Sequence, residues 1–198
     1  MTAENGLITD ADGTVRCGWS GDDVEYRRYH DEEWGVPLHG DRPLFEKICL
    51  EGFQAGLSWI TILRKRPRFR EVFHGFDLDV VAAMDADDVD RLMDDAGIIR
   101  SRPKILATIG NAQAAVTLRE RDGEGAIDRL VWSFEEDAPP GRIVRPADVP
   151  TSTPASLALS KTLRKAGFRF VGATTMYALL QSAGVVDDHL TGCFRARS

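Results

Sequence analysis

LFEKICLEGFQAGLSWITIL, residues 44–63, carries the clearest structural signal in the chain. Apolar side chains recur there at steps of three and four, the period of a helix rather than a strand. Asp41 stands ahead of the segment as a candidate cap, and Pro43 falls in the first turn, where its missing N–H costs nothing. The spacing predicts a helix over 44–63 with Leu44, Ile48, Glu51, Ala55, Trp59 and Ile62 along one face. Glu51 is the exception in that stripe. A carboxylate buried without a partner is costly, so Glu51 is either satisfied internally or kept for a ligand. Gly52 and Gly56 beside it admit a close approach.

The helical period continues outward. Residues 78–84 form a short segment, and 87–95 read as a helix stopped by Gly97. Residues 103–119 read as a helix with Ser101 placed before it. Thr153 caps another, with Pro154 in first position, that ends at Gly167, and 172–183 close the series. Residues 135–152, EEDAPPGRIVRPADVPTS, are rich in proline and charge and read as a long loop. No alternating strand of length, repeat or low-complexity tract interrupts this pattern, so the expected fold class is all-α. Residues 1–14 read as a loose leader, and 15–198 as one domain, or one domain with a lobe.

Composition narrows the class. The 198 residues are 43% apolar and 28% charged, enough for a sizeable core in a soluble protein. No apolar run approaches the ~20 residues that span a bilayer, and the first fourteen lack the basic and apolar regions of a secretory signal. Three cysteines, an odd number, argue against a disulfide framework and for a reducing cytoplasm. The net charge of −6 disfavours nucleic acid as a whole-chain argument, but binding depends on local patches. Basic residues cluster at Arg64, Lys65, Arg66, Arg68 and Arg70, at Arg100, Arg102 and Lys104, and at Lys161, Arg164, Lys165 and Arg169. Such runs are also the ordinary solvated faces of helices.

Three further features bear on chemistry. Cys17 with His30, and His189 with Cys193, lie near opposite ends of the chain; two thiolates and two imidazoles complete a tetrahedral zinc shell. The four-residue step from His189 to Cys193 puts both on one face if that segment is helical. Two buried pairs without metal fit the spacing equally well. Trp19, Tyr26, Tyr29 and Trp34 crowd a short stretch and Trp59 lies on the Glu51 helix, as a flat cationic ligand would need, although aromatic residues are also common in cores. LMDDAGIIRSRPKI, residues 92–105, reads as two helices joined by a tight turn at Gly97, whose free N–H groups and flanking Arg100, Arg102 and Lys104 suit a phosphate; a plain bundle connection has the same pattern.

Taken together, RCGW (16–19), YHDEEWGVP (29–37), LFEKICLEGFQAGLSWITIL (44–63), DAGIIRSRPKI (95–105), SKTLRKAGFRFVG (160–172) and DDHLTGC (187–193) closely resemble the 3-methyladenine DNA glycosylase I family of alkylation-repair enzymes. The resemblance runs in order from residue 16 to 193. It implies a helix-hairpin-helix superfamily fold and one structural zinc ion held by Cys17, His30, His189 and Cys193. It implies that Glu51 contacts the excised base, that Tyr29 and Trp59 shape and stack in the pocket, and that Trp19 and Tyr26 line it. Gly56 and Leu57 resemble the family's DNA-facing edge, and 92–105 its hairpin, although AGIIRSR lacks a glycine-x-glycine form. The implied activity is excision of 3-methyladenine from double-stranded alkylated DNA by a cytoplasmic monomer, leaving an abasic site. No Schiff-base lysine stands out, and no water-activating acid does beyond Glu135 or Glu136 in the long loop. A zinc-containing DNA-binding module and a metal-dependent hydrolase are the competing classes; four protein ligands argue against the second, which needs an open position for water.

Overall fold

A computed structural model describes residues 5–135 and 143–197, so Glu136 and the middle of the long loop lie outside the described residues. Among the described residues the chain is mostly helical: α1 (Val24–Glu32), α2 (Asp41–Gln54), α3 (Trp59–Val72), α4 (Leu78–Ala82), α5 (Ala86–Asp94), α6 (Arg102–Asp122), α7 (Ala126–Trp132), α8 (Pro154–Lys165) and α9 (Ala173–Ser182). A small antiparallel sheet, β1 (Leu7–Thr9) with β2 (Val15–Cys17), corrects the all-α expectation. Each strand is too short to show alternation in the sequence. Its turn is nonetheless well made: Asp10 N–H donates to the Thr14 carbonyl at 3.0 Å and Thr14 N–H to Asp12 Oδ1 at 2.9 Å. Leu7 pairs with Cys17, so the supposed leader is anchored from Leu7 onward.

The predicted helix over 44–63 is two helices. Gly56 takes φ +83°, a left-handed conformation that ends α2, and Ser58 is extended ahead of α3. The apolar period crosses the break because α3 restarts with Trp59 directed at the same interior. Asp41 lies inside α2 rather than capping it. Its carboxylate accepts from the N–H groups of Gly125 and Asp128 at 3.0 and 2.9 Å, capping α7, while Asp128 Oδ1 accepts from Gly40 N–H at 2.9 Å. Helices α2 and α7 thus cap each other. Ser101 makes no side-chain cap on α6, whereas Thr153 and Ser156 form a reciprocal capping box on α8. Helix α1 escaped the periodicity because VEYRRYHDE is polar throughout and buries only Tyr29 and His30.

The main core gathers Leu44, Phe45, Ile48, Leu50 and Phe53 of α2 against α3, α6 and α9. Phe53, Phe69, Phe73 and Phe76 form an aromatic series through it, with successive ring centres 4.6, 6.3 and 5.5 Å apart. A smaller apolar cluster of Leu7, Cys17, Ile143, Leu190 and Cys193 fastens the two ends of the chain together. Between the two clusters lies a cavity.

Candidate functional site

The cavity measures about 360 Å³, within the range of small-molecule sites. Trp19, Tyr26, Tyr29 and Trp34 form its N-terminal wall, Glu51 and Gln54 come from α2, and Trp59 opens α3 across from them. Ser182 and Asp188 close it from the C-terminal side. The rings are mutually tilted: Trp19 lies 5.1 Å from both Tyr26 and Trp34, and Tyr29 lies 5.4 Å from Trp59. All five base-binding candidates from the sequence, Glu51 included, therefore meet at one cavity. Trp59 Nε1 is buried with no hydrogen-bond partner among the described residues.

Glu51 is 4% exposed, and Ser182 Oγ donates to its Oε1 at 3.2 Å. Burial pushes its carboxyl up to about 7, against the pull of Lys47 and the Ser182 hydrogen bond. Lys47 was missed in the sequence, although it sits one turn before Glu51 on α2. Its Nζ donates to the Tyr29 hydroxyl at 2.9 Å and lies 4.7 and 4.8 Å from the Tyr29 and Trp59 ring centres. Burial pushes the ammonium down to about 8, opposed chiefly by Glu51. Burial and the nearby Glu51 charge also hold the Tyr29 hydroxyl well above its usual range, so it remains a phenol.

Asp188 was also missed, though it precedes His189 in the DDHLTGC motif. It is a second buried carboxylate on the cavity wall, accepting hydrogen bonds from the Tyr177 hydroxyl and, at 2.8 Å, from Gln181 Nε2. Ser182 and Gln181 carried no signal, because nothing local in α9 shows that it faces α2.

Cys17, His30, His189 and Cys193 come together, their four donor atoms all within 4.8 Å of one another, and all four are buried. Residues 189–193 are not helical. Cys193 N–H donates to the Leu190 carbonyl at 2.8 Å, and this turn, with Gly192 left-handed, brings the pair round. Sulfur–nitrogen separations are 3.7 Å (Cys17–His189), 3.5 Å (Cys193–His30) and 3.6 Å (Cys193–His189). Tetrahedral zinc, with Zn–S about 2.3 Å and Zn–N about 2.0 Å, would require roughly 3.5 Å. His30 Nδ1 is taken by Asp31 at 2.7 Å and His189 Nε2 by the Trp34 carbonyl at 3.2 Å, which leaves Nε2 and Nδ1 respectively for a metal. Gly35 makes the second contact fit, since a Cβ there would lie 2.8 Å from His189 Nε2. Hydrogen bonds from Cys17 and both imidazoles favour a thiolate at Cys193, while Cys17 is pushed up by its neighbour and by burial. The residues fit a metal ion with no coordination position left over.

The basic clusters fare differently. Arg66 is buried in a two-pronged pair with Glu33, and Arg64, Arg68 and Arg70 pair with Asp23, Asp95 and Glu46. Arg102 pairs with Asp90 at 2.6 Å. Lys104 Nζ donates to the carbonyls of Phe53 and Ala55 at 2.8 and 2.7 Å, closing the end of α2 rather than facing solvent alone. Gly97 N–H turns back to Asp95 Oδ1 at 2.7 Å. Among the described residues, Arg100, Lys161, Arg164, Lys165 and Arg169 are exposed cations outside any ion pair. Leu57, 41% exposed, stands on the turn after α2, beside Gly56.

Residues 19–196 match the model of the methyladenine glycosylase family. DNA-3-methyladenine glycosylase 1 of Escherichia coli (strain K12) is 54% identical over 90% of this chain and 95% of its own length. DNA-3-methyladenine glycosylase of Haemophilus influenzae (strain ATCC 51907 / DSM 11121 / KW20 / Rd) is 50% identical over 91% of this chain and 97% of its own. A crystal structure of 3-methyladenine DNA glycosylase I superposes with TM-score 0.87 at 51% identity, covering 92% of this chain and all of that one.

Proposed function

Because the chain belongs to the methyladenine glycosylase family, we propose that its aromatic cavity receives a methylated adenine turned out of alkylated DNA and that Glu51 holds it there. The activity is that of a DNA-3-methyladenine glycosylase, a hydrolase that cleaves the base–deoxyribose bond in base excision repair. One observation supports the site above all: Glu51 is a buried carboxylate ringed by Tyr29, Trp59, Trp19 and Tyr26.

In DNA, adenine methylated at N3 carries a positive charge, and its bond to the sugar is already weakened. The protein therefore needs no strong acid to protonate the leaving group. Ionised Glu51 accepts from the exocyclic amine and favours the cationic base, while the rings stack on its faces. As the bond to C1′ breaks, the base leaves with the electron pair and positive charge builds on the sugar; water then adds to C1′ and loses a proton. Asp188, held by Tyr177 and Gln181, places a second acidic side chain on the same wall. Unmodified adenine is neutral and better stacked in the duplex, so it gains less from this site.

Cys17, His30, His189 and Cys193 would hold one zinc ion, which supplies a cross-link between the two ends of the chain and nothing to the reaction. Leu57, on the Gly56 turn, would fill the space left by the flipped base. The turns α5–α6, at Gly97 and Arg100, and α8–α9, with Arg164, Lys165 and Arg169, would grip phosphate in helix-hairpin-helix fashion. Arg102 and Lys104 contribute less, being already engaged. A single domain over 15–198, acting as a monomer on double-stranded DNA in the cytoplasm, completes the proposal; no helix among the described residues is long and apolar enough to cross a membrane. The test is to incubate the purified protein with methylated DNA and identify the released bases by chromatography. Release of 3-methyladenine with matching abasic sites is expected; DNA binding without base release would favour a non-catalytic module.

A further inference from the structure

Lys47 does not line the cavity that holds Glu51. It reaches the Tyr29 hydroxyl from behind, out of a separate cleft shared with Glu33, Arg66 and Ser182. We propose that Lys47 is a positioning residue that turns the Tyr29 O–H into the cavity beside the Glu51 carboxylate, so that the pair selects a methylated amino-purine over a methylated oxo-purine. This rests on the glycosylase reading above.

An ammonium has three hydrogens to donate and no lone pair. In the 2.9 Å contact the Tyr29 oxygen must therefore accept, and its own hydrogen is left to donate elsewhere. Lys47 is held in place by the rings of Tyr29 and Trp59, each less than 5 Å from Nζ, so this polarity is built into the fold. The charged groups that act on Lys47 are Glu33 just past the end of α1, Glu46 and Glu51 from α2, and Arg66 from α3; Ser182 of α9 meets Glu51. Arg66 is committed to Glu33, which leaves Lys47 as the cation that offsets Glu51.

The cavity then offers one donor, Tyr29, beside one acceptor, Glu51. Adenine presents the complement on one edge: the N7 acceptor next to the N6 amino donor. Guanine presents two acceptors there, N7 and O6, and would set O6 against the carboxylate. Without Lys47 the Tyr29 hydroxyl could rotate to accept as well as donate, and Glu51 would take up a proton more readily. A neutral acid can donate to O6. Both changes relax the choice of base.

The experiment compares wild type with Lys47→Met, which keeps the length and burial of the side chain. It measures release of 3-methyladenine and 3-methylguanine from the same methylated DNA across pH 5.5–9. The ratio of the two rates is expected to fall about tenfold in Lys47→Met, as for loss of one oriented hydrogen-bond pair. The acid limb of 3-methyladenine kcat/KM should move to higher pH, because removing the ammonium raises the Glu51 carboxyl. Neither change should appear when Lys47→Met is made in a Tyr29→Phe, Glu51→Gln background. An unchanged ratio and an unchanged acid limb in a folded Lys47→Met protein would overturn the proposal. Lys47→Gln, which also loses the charge and the obligatory donor, carries the same readout if the methionine variant does not fold. If wild type releases no 3-methyladenine at all, the glycosylase reading itself falls, whatever Lys47 does.

Discussion

At the scale of single residues, the energetics centre on Glu51. Its carboxyl is pushed up to about 7 by burial, so the ionised form that a cationic base requires is lost as pH falls through that value. The kcat/KM for 3-methyladenine release should therefore drop on the acid side with a midpoint near 7, reporting the free protein. A midpoint near 4.5, the ordinary carboxyl value, would show that Glu51 is not the group being titrated. Glu51 was legible in the sequence because an acid in an apolar stripe is conspicuous. Lys47, four residues earlier, was equally visible in spacing, but α2 buries both sides of itself, and nothing local says that a lysine faces inward. Ser182 and Asp188 reach the same site from more than 130 residues away in the chain, and no local pattern carries that information.

At the scale of elements, periodicity located α2, α3, α5, α6, α8 and α9, and it erred where backbone conformation overrides side-chain pattern. The apolar rhythm of 44–63 runs through a left-handed glycine, Gly56, which side-chain spacing does not register. Helix α7 was missed because it is short, with its start fixed by Asp41 from another helix rather than by a local cap. That contact is testable. Asp41→Ala leaves the N–H groups of Gly125 and Asp128 unpaired and should cost about 1–2 kcal/mol in denaturant unfolding. Loss of no more than about 0.2 kcal/mol would mean that the reciprocal cap with Asp128 is dispensable. The small sheet was illegible for a related reason: three-residue strands are defined by what they pair with, and Leu7 pairs with a metal-ligand candidate, Cys17.

At the scale of the whole molecule, the Cys/His cluster and the cavity are neighbours along the chain. Tyr29 precedes His30, Asp188 precedes His189, and Trp19 lies two residues past Cys17, so whatever fixes the four ligands also fixes the cavity wall. Their assembly from both ends was suggested by the residue types but could not be derived from spacing across more than 150 positions. Cys193→Ser should lower stability by on the order of 3 kcal/mol, roughly 10 °C in Tm. Turnover well below the new Tm should change by less than about threefold. Lost turnover in a protein whose melting is unchanged would instead tie the cluster to the reaction. The joint role of cavity and carboxylate is tested most directly by single-turnover excision of 3-methyladenine from one preparation of methylated DNA, comparing wild type with Glu51→Gln. The excision rate should fall by at least about a hundredfold in the variant while its Tm stays within a few degrees, the loss expected for a charge-stabilising contact made at the reacting group. Equal rates of release from the two proteins would contradict it.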